Sequence, residues 1–265
     1  MRNSRIKAKL ARNEPTLIVS LHLTDPSVYE MAALMGFDGL WMDLEHHGYT
    51  VETATALMRA ARVGSSDIIA RPAKGEMMRM GRLLEAGATG IMYPRCDNAE
   101  EAAEVVRWAK FPPMGTRGID TANADMPYLS MPLTSYLEKA NDETFVIIQL
   151  EDASAIENAE SIAAVDGVDI LMIGPTDLSA SLGIPGQLDH PRLVEAARHV
   201  AQAATSAGKH WGRPIFTPQG AKELIDMGAR FITCGADIVM LKTALEAMQQ
   251  EFAPAGFGFD NRFGV

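Results

Sequence analysis

Two carboxylates close two apolar runs of this chain. Glu151 ends Phe145-Val-Ile-Ile-Gln-Leu-Glu, and Asp177 directly follows Asp169-Ile-Leu-Met-Ile-Gly-Pro-Thr. If both runs are strands of one parallel sheet, joined by a crossover helix, they finish on the same rim and the two acids converge. Two carboxylates without a third protein ligand leave coordination positions open to water and substrate. Such a set suits hard ions such as Mg²⁺ or Mn²⁺ rather than a closed structural zinc. Taken singly, each acid has a plainer reading. Glu151 could cap a helix, and Asp177 lies in Pro175-Thr-Asp-Leu-Ser, which begins a helical turn whose N–H groups an aspartate accepts. The pairing points to the metal. Gln149 shares side-chain parity with Glu151, and the N–H groups of Thr176 and Asp177 at a helix start suit a substrate carboxylate.

A second constellation is Trp41-Met-Asp43-Leu-Glu45-His46-His47-Gly48, where an acid precedes two histidines at the end of an apolar run. An imidazole oriented by a carboxylate is a base that works near neutral pH. His46 is the first candidate and Asp43 its partner. Their pairing requires the chain to turn at Glu45; a turn one residue later substitutes His47. Arg71, in Ile68-Ile-Ala-Arg-Pro-Ala, is a cation near a third strand end. Its plain reading is an ion pair with Glu45. Its functional reading is to hold a carboxylate or oxyanion beside the metal, which a planar guanidinium does well.

These residues need a frame that brings strand ends together. Short apolar runs alternate with amphipathic helical patterns, and glycine marks most junctions. The rhythm predicts strands at 15–23, 38–45, 67–73, 89–95, 144–151, 167–174, 209–216 and 230–241, the last with a break around Gly235. Eight strands in alternation predict an α/β fold, a (β/α)₈ barrel closed on itself, in one domain over residues 1–265. Residues 110–143 carry Pro112, Pro113, Gly115, Gly118 and Pro127, the longest excursion, which reads as a lid or an interface element. The tail from Ala255 to Val265 mixes glycine with three phenylalanines and reads as an arm seeking a surface, such as a neighbouring subunit.

Composition excludes several classes. A hydrophobic share of 47% in 265 residues is enough for one large core, while a net charge of −10 opposes nucleic acid and anionic membrane as partners. No apolar run is long enough to cross a membrane and the N-terminus lacks a signal peptide, so a cytoplasmic protein is expected. The two cysteines, Cys96 and Cys234, have no metal-ligand spacing and read as ordinary thiols.

Several stretches together resemble a known family. They are Gly36-Phe-Asp-Gly-Leu-Trp-Met-Asp-Leu-Glu-His46, Arg71-Pro, Leu84-Glu-Ala-Gly-Ala-Thr-Gly-Ile-Met-Tyr-Pro94, Phe111-Pro-Pro-Met-Gly-Thr-Arg-Gly118, Gln149-Leu-Glu151 and Gly167-Val-Asp-Ile-Leu-Met-Ile-Gly-Pro-Thr-Asp-Leu-Ser179. The chain is similar to class II, metal-dependent pyruvate aldolases, the family of 4-hydroxy-2-oxoheptanedioate and 2-dehydro-3-deoxyglucarate aldolases. The resemblance implies reversible cleavage of 4-hydroxy-2-oxo acids to a 2-oxo acid and an aldehyde. It implies Glu151 and Asp177 as ligands of a divalent cation, His46 as the acid–base residue and Arg71 as support for the enolate. It further implies a homohexamer, a trimer of dimers, exchanging a C-terminal helix that includes 242–252. Glu85 stands where the family usually carries a shorter acid near a neighbouring subunit's site.

At the seventh strand the chain departs from the family, reading Gly208-Lys-His-Trp-Gly-Arg-Pro-Ile-Phe. This sets His210, Trp211 and Arg213 around a position that often lines the donor pocket, so hydroxypyruvate could replace pyruvate. Alternatively, Arg213 pairs with an acid in the helix layer. Other activities fit less well. A Schiff-base aldolase needs a lysine in the mouth, and Lys74 and Lys242 lack an activating partner. A related acyl-CoA lyase needs a basic surface that the sequence does not offer. A non-catalytic barrel that only binds oxo acids stays open.

Overall fold

The computed structural model describes residues 2–263. Its strands are β1 (Thr16–Leu21), β2 (Gly39–Asp43), β3 (Asp67–Arg71), β4 (Gly90–Tyr93), β5 (Phe145–Leu150), β6 (Ile170–Ile173), β7 (His210–Pro214) and β8 (Phe231–Ala236). Each pairs in parallel with the next, and β8 returns to β1 to close a barrel. The (β/α)₈ architecture is therefore as the sequence indicates.

Side-chain alternation divides the core in two. Ile18, Trp41, Ile69, Met92, Phe145, Ile147, Ile170, Met172 and Phe231 fill the lumen. Their neighbours, among them Val146, Ile148, Leu150, Leu171 and Ile173, pack outward against the helices. Gly90 is required by this filling, because a Cβ there would lie 2.3 Å from the Phe145 ring.

The floor of the barrel is closed by a helix, Arg5–Leu10, that sequence reading did not single out; it sends Ile6 and Leu10 into the lumen cluster. Asp67 at the start of β3 anchors it. Its Oδ2 accepts from Ser4 Oγ and Ile6 N, both at 2.7 Å, and its Oδ1 accepts from Thr89 Oγ1 at 3.0 Å. Burial pushes this carboxyl up to about 6, against the opposing effect of those hydrogen bonds. A group raised in the folded state contributes stability fully below its unfolded pKa, and that contribution is lost as pH rises through the folded one. Asp67→Asn keeps the neutral form at every pH, and its Nδ2 can donate to Thr89 Oγ1, which in turn reaches Ile68 O at 3.3 Å. We expect the variant to match wild type near pH 4 and exceed it by roughly 2–3 kcal/mol above pH 7. Urea unfolding at the two pH values checks this. With the floor sealed, chemistry is confined to the rim where the strands end.

The excursion over 110–143 is ordered. Arg117 Nη2 donates to Asp125 Oδ2 at 3.2 Å, Tyr136 Oη donates to the same oxygen at 2.7 Å, and the Arg117 guanidinium lies 4.5 Å from the Phe111 ring. Lys110 is buried beneath it and donates to the carbonyls of Asn141 and Thr144. Glu85 sits within the electrostatic reach of Arg117; burial raises its carboxyl above the usual range, with Arg117 opposing.

The last strand is shorter than expected. It stops at Ala236, and residues 237–241 already belong to the helix Asp237–Phe252. The break does fall at Gly235, whose φ of 64° ends the extended pattern. Asp237 then locks the junction, its carboxylate accepting from His22 N at 2.8 Å and Leu23 N at 3.0 Å. This helix leaves Ile238, Val239, Met240, Leu241, Leu245, Met248 and Phe252 about half exposed, and Leu17 on the outer face of β1 is uncovered too. The phenylalanine-rich tail turns back on the helix, with Phe257 6.0 Å from Phe252 and Lys242 Nζ 5.3 Å from the Phe263 ring. Gly264 and Val265, the end of the arm seen in the sequence, lie outside the described residues. No helix among the described residues is long and apolar enough to cross a membrane.

Candidate active site

The register between β2 and β3 sets Asp43 directly beside Arg71 on the lumen side of the rim. Asp43 grips Arg71 in a two-pronged contact: Nε donates to Oδ1 at 2.9 Å and Nη2 to Oδ2 at 2.8 Å. Arg71 Nη1 donates to Gln149 Oε1 at 3.2 Å, and Gln149 Nε2 donates onward to Glu151 Oε1 at 3.3 Å. The guanidinium also lies 4.7 Å from the Trp41 ring. Glu45 brings an oxygen to 3.2 Å from Arg71 Nε, a charge contact without a hydrogen bond. The ion pair with Glu45 thus has a structural counterpart, but Asp43 is the stronger partner. Burial opposes ionisation of Asp43, yet the Arg71 hydrogen bonds and charge and the Glu45 amide hold it below the usual carboxylate range.

Glu151 is 4% exposed. Its Oε2 accepts from the Arg95 backbone N at 2.9 Å. A Cβ on Gly174 would come within 2.2 Å of Oε1, so the glycine is the cradle that admits this carboxylate. Burial pushes Glu151 up to about 7, with Arg71 pulling the other way and the charges of Glu45 and Asp177 adding to the rise. Asp177, in the first turn of the helix Pro175–Ser181, is exposed, and its Oδ1 lies 3.7 Å from Arg95 Nη1. Arg95 therefore touches both acids, by its backbone and by its side chain. Thr176 lies beside Asp177 in that turn and is exposed. A buried, unusually basic carboxylate in a glycine cradle, with a second acid on the same rim, fits a hard divalent cation with open positions.

The structure does not join Asp43 to the His46 ring. Asp43 Oδ2 meets His47 Nδ1 at 3.2 Å instead, while Oδ1 accepts from the backbone N of Glu45 at 3.0 Å and, more distantly, of His46 at 3.5 Å. The turn thus falls one residue later than the Asp43–His46 pairing requires. The His46 ring is 61% exposed, with Nε2 3.7 Å from Glu45 Oε2. Trp211 and Arg213 are not brought to the mouth. Register pairs Trp211 with outward-facing Leu171 and Gly212 with inward-facing Met172, so Trp211 packs in the layer between sheet and helices. Arg213 has the same parity and lies near the charge of Asp189, in accord with the alternative of an acid in the helix layer.

Three residues at the rim escaped sequence reading: Arg95, which follows β4, and Ser20 and His22 at the end of β1. His22 stacks on His47 with ring centroids 4.2 Å apart and planes 16° from parallel, and its Nε2 lies 3.1 Å from Ser20 Oγ. The signal for Arg95 and His22 was position, since residues just past a strand's carboxyl end face the mouth of a barrel. His22, Asp43 and His47 each bring one potential ligand atom within 4.8 Å of the others. They make a poor metal site. Ring nitrogens coordinate in the plane of the ring, which stacked rings cannot direct at one point, and Arg71 already occupies Asp43.

A closed barrel with a sealed floor carries on one rim two acids, Glu151 and Asp177, and an immobilised guanidinium, Arg71, the layout of an α/β-barrel enzyme's mouth. The HpcH/HpaI aldolase/citrate lyase family model matches residues 17–244, and the chain belongs to that family; it is an enzyme of the aldolase type. It is 35% identical over 252 residues, 95% of each chain, to 4-hydroxy-2-oxo-heptane-1,7-dioate aldolase of Shigella sonnei (strain Ss046). It is 33% identical over 240 residues to 2-keto-3-deoxy-L-rhamnonate aldolase of Klebsiella pneumoniae subsp. pneumoniae, covering 91% of this chain and 90% of that one. The crystal structure of an HpcH/HpaI aldolase from Desulfitobacterium hafniense DCB-2 matches with a TM-score of 0.87 at 30% identity, over 96% of this chain and 98% of that chain.

Proposed function

We propose that this enzyme cleaves 4-hydroxy-2-oxo acids between C3 and C4, giving pyruvate or a related 2-oxo acid and an aldehyde, and runs the reverse condensation. The observation that carries the reading is the unbroken polar line across the mouth, Glu151–Gln149–Arg71–Asp43. Glu151 and Asp177 hold the cation, Mg²⁺, Mn²⁺ or Co²⁺, which when bound supplies Lewis acidity toward the 2-oxo carbonyl. The chain does the rest. N–H groups of Thr176 and Asp177 orient the substrate carboxylate. His46, at the open side of the mouth, takes the C4 hydroxyl proton, directly or through a water. The C3–C4 bond breaks, the aldehyde leaves and the electron pair collects as a pyruvate enolate. Three N–H groups of Arg71 are committed to Asp43 and Gln149, which leaves one on each terminal nitrogen for the enolate oxygen. Proton return to C3 releases pyruvate.

The test is a retro-aldol assay with each metal, coupled to pyruvate detection, over a panel of 4-hydroxy-2-oxo acids. Turnover that disappears with chelator and survives borohydride plus pyruvate is expected; no pyruvate from any acid under any metal would end the reading. The placement of Trp211 and Arg213 in the outer layer favours pyruvate over hydroxypyruvate as donor, and a condensation screen with both decides between them.

The bare apolar face of Asp237–Phe252 and the uncovered Leu17 support an assembly in which this helix lies on a neighbouring copy. We assign it to a homohexamer, a trimer of dimers. Light scattering that returned a monomer would contradict this.

A further inference from the structure

We propose that His47 is a positioning residue, acting through Asp43 on Arg71, and that His22 is the plate that fixes its ring. The proposal rests on the reading of Arg71 as the group that meets the enolate. Asp43 has about four lone-pair sites. On Oδ1 it accepts from Arg71 Nε and the Glu45 amide, with the His46 amide more distant, and on Oδ2 from Arg71 Nη2, which leaves the second site of Oδ2 to His47 Nδ1. Asp43 is held ionised, so it can only accept, and His47 Nδ1 must be the donor in their contact. His47 thereby completes the shell of the carboxylate that aligns the guanidinium. Without it, Asp43 is free to rotate toward water and Arg71 to follow.

His22 does the corresponding work for His47. Its ring covers one face of His47, and it is tethered from two sides: its backbone N donates to Asp237 and its Nε2 meets Ser20 Oγ. The Tyr49 ring stands 6.1 Å from His47, tilted by 45°, and its hydroxyl is anchored on Leu21 O at 3.2 Å. The ring of His47 is thus set by packing on one side and by a single hydrogen bond at its edge.

A positioning role separates from a proton-carrying one by side-chain replacement. Asparagine places an N–H close to Nδ1; glutamine places one close to Nε2. His47→Ala should lower kcat about 10- to 100-fold, with pyruvate KM and Mn²⁺ affinity within about threefold of wild type. His47→Asn should recover most of the loss and His47→Gln should not. His22→Phe, which keeps a flat ring, should stay within about threefold, while His22→Ala should fall with His47→Ala and not add to it. Equal activity of the Asn and Gln variants, at either level, overturns the proposal. So does a nitrogen-15 spectrum placing the His47 proton on Nε2, a readout that needs no turnover. Failure of the functional reading looks different: wild type itself then releases no pyruvate, whatever stands at position 47.

Discussion

Glu151→Gln is expected to lower metal-dependent turnover on the order of 10³-fold or more, while the barrel folds normally. Glutamine is nearly isosteric, so it still fits the cradle left by Gly174 and can still accept from the Arg95 amide with its carbonyl oxygen. What it lacks is the charge. In the metal-free chain burial pushes Glu151 up to about 7, so a cation must displace a proton from it below that pH. Mn²⁺ affinity of the wild type should therefore climb with pH up to about 7 and then level, whereas the variant should bind weakly with a flatter profile. Stability moves the other way. The carboxyl is raised above its unfolded value, so its contribution is intact below about pH 4.5 and is lost as pH rises through 7. Under chelator at pH 8 the variant should thus be more stable than wild type, by less than roughly 3 kcal/mol because its amide NH₂ now faces Gln149 Nε2, the donor that Glu151 Oε1 accepts from. Mn²⁺ titration followed by electron paramagnetic resonance and melting under chelator read both effects. Unchanged Mn²⁺ affinity would remove Glu151 from the metal.

The same residue shows how much the sequence holds. Its strand, Phe145–Leu150, is a continuous buried run set between the helices Leu133–Glu143 and Ala153–Glu157, so element and parity could both be read there, and the elements, though not every parity, of its seven partners as well. Asp43 and Arg71 lie inside strands, and their adjacency follows from register once the barrel is assumed. Beyond strand ends the rule fails. Whether Asp43 meets His46 or His47 depends on the dihedrals of residues 44–46, which no period constrains. Trp211 was misplaced because likeness in a short segment says nothing of which face a residue takes; the pleat decides that, and Gly212 takes the lumen. The helix that plugs the floor was invisible for another reason: six residues, Arg5–Leu10, are too few to show an amphipathic repeat.

Arg71→Lys should cost nearly as much as losing the metal ligand, for a different reason. An ammonium keeps the charge but presents three donors from one point, and it cannot hold both oxygens of Asp43, Gln149 Oε1 and a substrate oxygen together. The contact with Trp41 also depends on a planar cation. Asp43, buried and ionised, would then draw the lysine nitrogen toward itself and leave the enolate oxygen unmet. We expect kcat to fall on the order of 10²- to 10³-fold, with Mn²⁺ affinity within about threefold because neither Glu151 nor Asp177 has changed. Arg71→Met goes further, stranding Asp43 without its counter-ion at a cost of about 3–5 kcal/mol in stability. Exchange of pyruvate methyl protons with deuterated solvent isolates the step, since it requires the enolate but no aldehyde. Arg71→Lys should suppress that exchange as strongly as it suppresses cleavage, whereas His46→Ala, which disturbs proton removal from the C4 hydroxyl, should suppress cleavage more. If the lysine variant exchanged methyl protons at the wild-type rate, the charge on the enolate would have to be met by some other group on the rim, and Arg95, the remaining cation beside both acids, would be the one to replace next.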